Sequence, residues 1–313
     1  MKEEIRKNLL SAGVAAVGFS RAGKVEDEVT LKYDEWIAEG FHGEMEYLRR
    51  HAPLKRTTDN VLPGAKTVIS LAFSYYPDEW RDETLPYVSA YAYSEDYHIV
   101  LRERLRPIVE GFKLKYGGIW RICIDSAPIS ERYWALRSGI GRRGLNGAVI
   151  VDGCGTFAFL VEILTTLELD PDTSSEEKCM GCRKCIDVCP SGALCGDGTM
   201  DARRCINYLT IEKKGDFSDE EKNLLREGNG YLFGCDKCLR ICPHNSLSTH
   251  NSEIKKSQLF KMSESIRKAN LSEFLQVDGD SFKSKFNRSP LQYAGYPILR
   301  RNSETLINSD NSQ

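Results

Sequence analysis

Eight of the eleven cysteines carry the most evident chemistry, and they fall into two runs. The first run has the spacing C-x2-C-x2-C-x3-C and the second has one distant cysteine followed by C-x2-C-x3-C; a proline follows each run. The runs are Cys179, Cys182, Cys185 and Cys189, then Cys205, Cys235, Cys238 and Cys242. In bacterial two-cluster ferredoxins, the cysteine before the proline binds the other cluster. We therefore predict two [4Fe–4S] clusters.

Crossed ligation divides these thiolates into two sets. Set one is Cys179, Cys182, Cys185 and Cys242, and set two is Cys189, Cys205, Cys235 and Cys238. The first ligand of set two lies far upstream of its partners, so residues 206–234, here called the insert, must loop out and return. We expect the insert to be a functional element.

Two other uses of these cysteines are structural zinc, which also employs C-x2-C pairs, and a disulfide framework. Neither needs eight thiols in two runs that end in proline. Cys123, Cys154 and Cys195 remain without a role, as small buried residues. The opening MKEEIRKNLLSAG has no apolar signal core and no twin arginine, so we expect a cytoplasmic protein with reduced thiols.

Length and composition indicate a soluble globular chain of about two domains. The chain has 313 residues, of which 41% are hydrophobic and 28% are charged, and no apolar run is long enough to span a membrane. The net charge of −2 gives no overall sign of a polyanionic partner.

Hydrophobic periodicity predicts mixed helices and strands up to about Pro171. Helices are expected from the N-terminus to Gly13, over residues 29–50 with a turn at Gly40, and over residues 97–115 and 130–138. Strands are expected over residues 14–19, 67–75, 120–124, 148–151 and 157–167, the last two flanking a hairpin-like turn at 152–155. The segment 139–144 spells G-x-G-x-x-G but follows a helix, which favours a turn over a nucleotide site.

These patterns divide the chain into three parts. Residues 1–171 form an α/β (α+β) domain that we expect to be catalytic, and residues 172–250 form a ferredoxin-like cluster domain that includes the insert. Residues 251–313 form a C-terminal helical segment, and its polar tail from Asn302 to Gln313 is expected to be disordered.

Several segments outside the cysteine runs resemble the epoxyqueuosine reductases. They are GFHGEMEYL (40–48), LPGAKTVI (62–69), DYH (96–98), DS (125–126) leading into ER (131–132), GIG (139–141), LTIE (209–212) and LRRN (299–302). They occur in order along nearly the whole chain, which makes the resemblance specific.

The resemblance implies a fold and an activity. The fold is a nitroreductase-like, cobalamin-binding domain, related to the reductive dehalogenases, followed by a two-cluster ferredoxin domain. The activity is reduction of epoxyqueuosine to queuosine at the wobble position of tRNA, with electrons passing through the clusters to cobalamin, which rests as cob(II)alamin. The implied partners are the anticodon arm of tRNA and a low-potential donor such as flavodoxin or ferredoxin, and the chain would act as a monomer.

The family's functional residues carry over to particular positions. Asp125 matches the proton donor, although the residues alone favour a helix cap there. The positions implied for cobalamin are Arg56, Ser89, Tyr97, His98, Asp125, Val149 and Leu160. The insert residues Lys213 and Lys214 match the RNA-contacting stretch, where phosphate contacts would position the substrate.

Three positions depart from the family pattern, because basic residues common in relatives are replaced by Ala90, Leu145 and Gln292. Two alternatives stay open at this point. One is a related corrinoid-dependent reductase of a small molecule, similar to a dehalogenase. The other is a ferredoxin-type electron carrier or corrinoid-activating protein with no substrate pocket.

Overall fold

The computed structural model describes residues 1–175, 178–246 and 259–307. The elements of the α/β domain are α1 (Lys2–Leu10), β1 (Ala16–Arg21), α2 (Asp27–Ala38), α3 (Glu46–His51), β2 (Thr67–Ser74), β3 (Tyr87–Val88), α4 (Tyr97–Tyr116), β4 (Trp120–Cys123), α5 (Glu131–Arg137), β5 (Arg142–Arg143), β6 (Val149–Ile150) and β7 (Ala158–Thr165). The predicted mixed α/β architecture is confirmed, with the longer elements close to their expected bounds.

A four-stranded antiparallel sheet in the order β1-β2-β7-β4 forms the centre of this domain. Every residue of β2 is buried, because both faces of the sheet are covered. Ile69 and Leu71 face a core shared with α1 and α4, whereas Val68 faces a core shared with Trp134 of α5. The sheet therefore fixes where α4 and α5 begin, and both begin at the cavity described below.

The predicted hairpin-like turn at residues 152–155 is present, because Val151 and Gly155 pair across it. The strands that flank the turn do not pair with each other: β6 pairs with β5, and β7 pairs with β2 and β4. Strand β7 has eight residues and lies inside the sheet, with a partner strand on each side. The two-residue β6 is too short to pair along the length of β7. The pairing partners of β7 therefore cannot be predicted from which strand is nearest in the sequence.

The cluster domain contains α6 (Lys184–Asp187), α7 (Ile206–Ile211), α8 (Asp219–Leu225), β8 (Tyr231–Phe233) and α9 (Lys237–Arg240). The insert is thus not a simple loop, because it holds α7, α8 and β8. Strand β8 pairs in parallel with β3 of the α/β domain. The insert therefore returns to the clusters by way of the α/β domain.

The remaining described helices are α10 (Glu264–Lys268), α11 (Leu271–Gln276), α12 (Gly279–Lys285) and α13 (Leu291–Ile307). The predicted disordered tail is wrong for residues 302–307, which end α13; residues 308–313 lie outside the described residues. Asn302 is buried, and its amide donates to the carbonyls of Thr210 and Leu232 at 2.8 and 2.9 Å. None of the described helices is long and apolar enough to cross a membrane.

Asn302→Ala would leave two buried carbonyls of the insert without their donor. We expect the free energy of unfolding to fall by about 1–3 kcal/mol, seen as a lower melting temperature of the cluster-loaded protein. The exposed Asn223 on α8 provides the matched control, since surface substitutions stay within about 0.5 kcal/mol. Equal melting temperatures for the two variants would contradict this role of Asn302.

Candidate functional site

A cavity of about 1660 Å³ opens between the sheet, the first turns of α4 and α5, and the insert. Its wall includes Tyr97 and His98 of α4, Asp125 after β4, Phe159 of β7 and Cys205 at the start of the insert. Ligand pockets usually measure about 300–1,000 Å³. This cavity therefore has room for a ligand larger than most small substrates.

Asp125 stands at the end of β4 with a left-handed backbone, φ 49°. Its side chain is 59% exposed, into the cavity. Its backbone N–H donates to Oε1 of Glu131 at 2.7 Å. Asp125 does not cap the following helix, because Ser130 occupies the N-cap position of α5. The capping interpretation is therefore wrong, and the carboxyl is left available to the cavity.

Two side chains of α4 hold this carboxyl. Oδ2 of Asp125 accepts from the hydroxyl of Tyr97 at 2.9 Å and lies 3.1 Å from Nε2 of His98. Nδ1 of His98 lies 2.8 Å from Oδ1 of Asp96, which also caps α4. The Tyr97 ring stacks on Phe159 with centroids 4.3 Å apart. The imidazole thus sits between two carboxylates in a packed setting.

This geometry sets the protonation states. Burial lowers the pKa of His98, but the bonds to Asp125 and Asp96 outweigh it and raise the pKa to about 9. Burial raises the pKa of Asp125, yet the bonds from His98 and Tyr97 hold that pKa below its usual value. At neutral pH the proton therefore resides on His98, beside an ionised Asp125.

Two further carboxyls lie behind Asp125, and the sequence interpretation gave neither a role. Burial, together with the charge of Asp125, raises the pKa of Glu131 to about 7. Glu162 of β7 is fully buried, and neither of its oxygens has a hydrogen-bond partner among the described residues. Burial raises its pKa well above the usual value, so Glu162 is neutral. A lone glutamate in the apolar strand AFLVEILT was the available signal.

The structure brings together the predicted members of each cysteine set. Burial raises the pKa of the Cys242 thiol, and it is raised further by the charges of Cys185, Cys182 and Cys179. Burial also raises the pKa of the Cys238 thiol, assisted by the charges of Cys235, Cys205 and Cys189. The crossed assignment of ligands matches both groupings.

The donor set suits clusters better than single ions. Four thiolates around one zinc ion, each about 2.3 Å from it, would lie within about 4 Å of one another. Among the described residues, no three Cys, His, Asp or Glu side chains form a group that could hold one metal ion. Eight thiols in two groups of four match the ligand count of two [4Fe–4S] clusters.

The two sets differ in their surroundings. Cys205 of set two lines the cavity. Cys182 of set one is exposed, and the neighbouring Met180 and Ile241 are 53% and 42% exposed. A cluster in set one would therefore be close to solvent, and a cluster in set two would be close to the cavity.

The other predicted residues lie in varied places. Val149 lines the cavity, together with Tyr97, His98 and Asp125. Arg56, Ser89 and Leu160 are not among the described residues of its wall. Arg56 pairs with Asp34 at 2.6 Å, Ser89 is buried against Asp236, and Leu160 is half-buried in β7.

The two insert lysines also differ from each other. Nζ of Lys213 pairs with Glu221 at 2.7 Å, whereas Lys214 is exposed. The backbone N–H of Lys214 donates to Oε2 of Glu44 at 2.8 Å. Their role in RNA contact stays a prediction, as do the roles of the cavity residues.

Comparisons with known proteins agree with this arrangement. Residues 178–245 match the family model "4Fe-4S double cluster binding domain", and residues 56–126 match "Epoxyqueuosine reductase QueG, DUF1730". The epoxyqueuosine reductase of Cyclobacterium marinum is 32% identical over 302 residues, covering 95% of this chain and 94% of that protein.

Solved structures give the same result. An epoxyqueuosine reductase crystallised with an epoxyqueuosine-modified tRNA-Tyr stem loop is 28% identical, with a TM-score of 0.85, covering 98% of this chain and 80% of that one. The enzyme from Bacillus subtilis, with its catalytic aspartate loop swung out of the active site, is also 28% identical, with a TM-score of 0.83 and the same coverage.

The fold and the cysteine module define the class, an oxidoreductase that binds two [4Fe–4S] clusters. The extent of the similarity narrows this further: the chain belongs to the epoxyqueuosine reductase family. The predicted family, fold class and iron–sulfur chemistry are confirmed.

Glu162→Gln tests the neutral buried carboxyl. The folded-state pKa is above the unfolded value of about 4.5, so the stability that Glu162 contributes is present at low pH and is lost as pH rises toward the folded pKa, by about 1.4 kcal/mol per pH unit. We expect the melting temperature of the parent to fall relative to the variant from about pH 5 to about pH 8. A difference that does not change with pH would contradict the assignment.

Proposed function

We propose that this chain reduces epoxyqueuosine to queuosine at the wobble position of tRNA, with cobalamin bound in the cavity. The observation that carries the proposal is one cavity lined by two kinds of chemistry. Asp125, with the protonated His98 beside it, and Cys205 of set two both line the cavity. A proton source and a cluster-binding cysteine thus meet at the same space.

The cavity suits a corrinoid in size and in lining. Its volume exceeds that of common small-molecule sites. Apolar contact would come from Val149, Phe159 and Met45, and polar groups on the wall include Arg102 and Tyr97. When bound, cobalamin would supply a low-potential metal centre, and the clusters would feed it single electrons. A flavodoxin or ferredoxin in the cytoplasm would reduce the clusters, and the chain would act as a monomer.

Asp125 and His98 supply one of the two protons that the reaction needs, and solvent supplies the other. Reduction of the epoxide to an alkene consumes two electrons and two protons and releases the oxygen as water. Asp125 projects into the cavity and would protonate the departing oxygen, as a general acid must. In the resting site the proton is on His98, 3.1 Å from Asp125 Oδ2. His98 would therefore pass its proton to Asp125 once the substrate excludes water.

Both structural relatives support these assignments. One binds an epoxyqueuosine-modified tRNA stem loop, and the other carries its catalytic aspartate on a loop that leaves the active site. Asp125 lies on a segment of irregular structure between β4 and α5, which we infer to be the corresponding loop.

Asp125→Asn should retain the clusters and cobalamin but lose turnover, because asparagine keeps the shape and cannot donate the proton. We expect turnover to fall by about 10²–10⁴-fold. The assay is anaerobic reduction of an epoxyqueuosine-containing tRNA stem loop by the cobalamin-loaded protein with a chemical reductant. Undiminished turnover would remove Asp125 as the acid. A parent protein with clusters and cobalamin but no turnover would reject the function and favour the electron carrier.

Lys214→Glu tests the RNA contact of the insert. Lys214 is exposed, whereas Lys213 is held by Glu221, so we expect Lys214 to be the one that meets a phosphate. Reversing the charge at Lys214 should weaken stem-loop binding and reduce the slope of log affinity against log salt concentration by about 1. Lys7→Glu, on the exposed side of α1, makes the same charge change elsewhere. If both variants bind alike, the RNA lies on another surface.

A further inference from the structure

The backbone of Asp125 is in an unusual conformation for its residue type. Its φ is 49°, a left-handed value shared by only two other non-glycine residues in the described part of the chain, Arg183 and Arg288. Side chains other than glycine adopt this region rarely, and they keep it only where the surroundings impose it. Something in the structure therefore has to hold Asp125 there.

Tyr97 and His98 hold the side chain of Asp125, whereas Glu131 holds its backbone. Oε1 of Glu131 accepts the Asp125 N–H at 2.7 Å, a short hydrogen bond for a backbone donor. The β4–β7 ladder has already ended at the pair Cys123 and Glu162, so the sheet supplies no partner to this amide.

The acceptor itself is firmly placed. Glu131 is the first residue of α5, and two turns of that helix are anchored by Trp134 and Ala135, both buried. Helix α5 packs on β1, β2 and β7. The Glu131 side chain also borders the cavity, but its hydrogen bond is to the backbone N–H of Asp125. Glu131 thus connects the rigid sheet to the segment that carries the acid.

We propose that Glu131 is a positioning residue, which holds the Asp125 amide and thereby keeps the Asp125 carboxyl beside Tyr97 and His98. The proposal rests on the function proposed above, because it assigns a duty within that reaction. When the bond is broken, the segment from Asp125 to Ser130 is released toward a position outside the cavity. The turnover number then falls, while the affinity for tRNA is unaffected.

The test compares Glu131→Met with Glu131→Gln. Methionine has a similar length but no comparable acceptor, whereas glutamine retains an oxygen that accepts the Asp125 N–H. We expect Met to lower kcat by about 10²-fold, the effect of a catalytic group misplaced by about 1 Å, with KM for the stem loop unchanged. Gln should restore kcat to within about tenfold of the parent. Glu35→Ala, on the exposed face of α2, should match the parent.

Amide hydrogen exchange at Asp125 provides a readout independent of turnover. Measured on the cluster-loaded protein without cobalamin, exchange should be faster in Glu131→Met than in the parent and slow again in Glu131→Gln. Equal exchange in all three would overturn the proposal. So would equal loss of kcat in both variants, since Glu131 would then act through its own proton. A parent without turnover rejects the proposed function, while the exchange series still decides whether Glu131 holds Asp125.

Discussion

The path of the insert depends on Cys205, which belongs to one cysteine set and also forms part of the cavity wall. Cys205 belongs to set two and also lines the cavity, while its partners Cys235 and Cys238 lie some thirty residues further along the chain. The insert must therefore begin beside the cavity and end beside Cys235, so the positions of both its ends are fixed. Its return is fixed by the pairing of β8 with β3.

Helix α13 holds the insert from the other side. The Arg301 guanidinium donates to the carbonyls of Leu209, Lys213 and Gly215 and stacks on Phe217 at 3.9 Å. Asn302 donates to two further carbonyls. Side chains of α13 thus satisfy backbone acceptors of the insert. The LRRN segment therefore has a structural role in holding the insert.

A buried carboxylate joins the second cysteine run to the α/β domain. Asp236, between Cys235 and Lys237, accepts from the hydroxyl of Tyr87 at 3.0 Å, the hydroxyl of Ser89 and the backbone N–H of Ala90 at 2.6 Å. Ser89 therefore positions a cluster-binding segment instead of lining the cavity. Ala90 contributes its backbone N–H to this carboxylate and not its side chain.

Local signals carried most of the sequence interpretation. Fixed cysteine spacing, the apolar run of β2 and the periodicity of α4 each identify an element without distant information. Other features depend on contacts between residues far apart in sequence, and local patterns did not predict them. These features are the helices of the insert, the pairing partners of β7 and the burial of Asn302. The residues of the site were also only partly predicted. Asp125 and His98 were identified from the family resemblance, whereas the role proposed for Glu131 follows from its hydrogen bond to the backbone of Asp125.

Cys205 places set two beside the cavity, whereas the exposed Cys182 places set one toward solvent. Electron paramagnetic resonance of the reduced clusters, with and without cob(II)alamin bound, measures this difference. Comparison with Cys205→Ser and Cys182→Ser identifies the signal of each cluster. We expect cob(II)alamin to broaden the signal lost in Cys205→Ser more strongly than the signal lost in Cys182→Ser. Equal or reversed broadening would show that set two is not the cluster nearer the cavity.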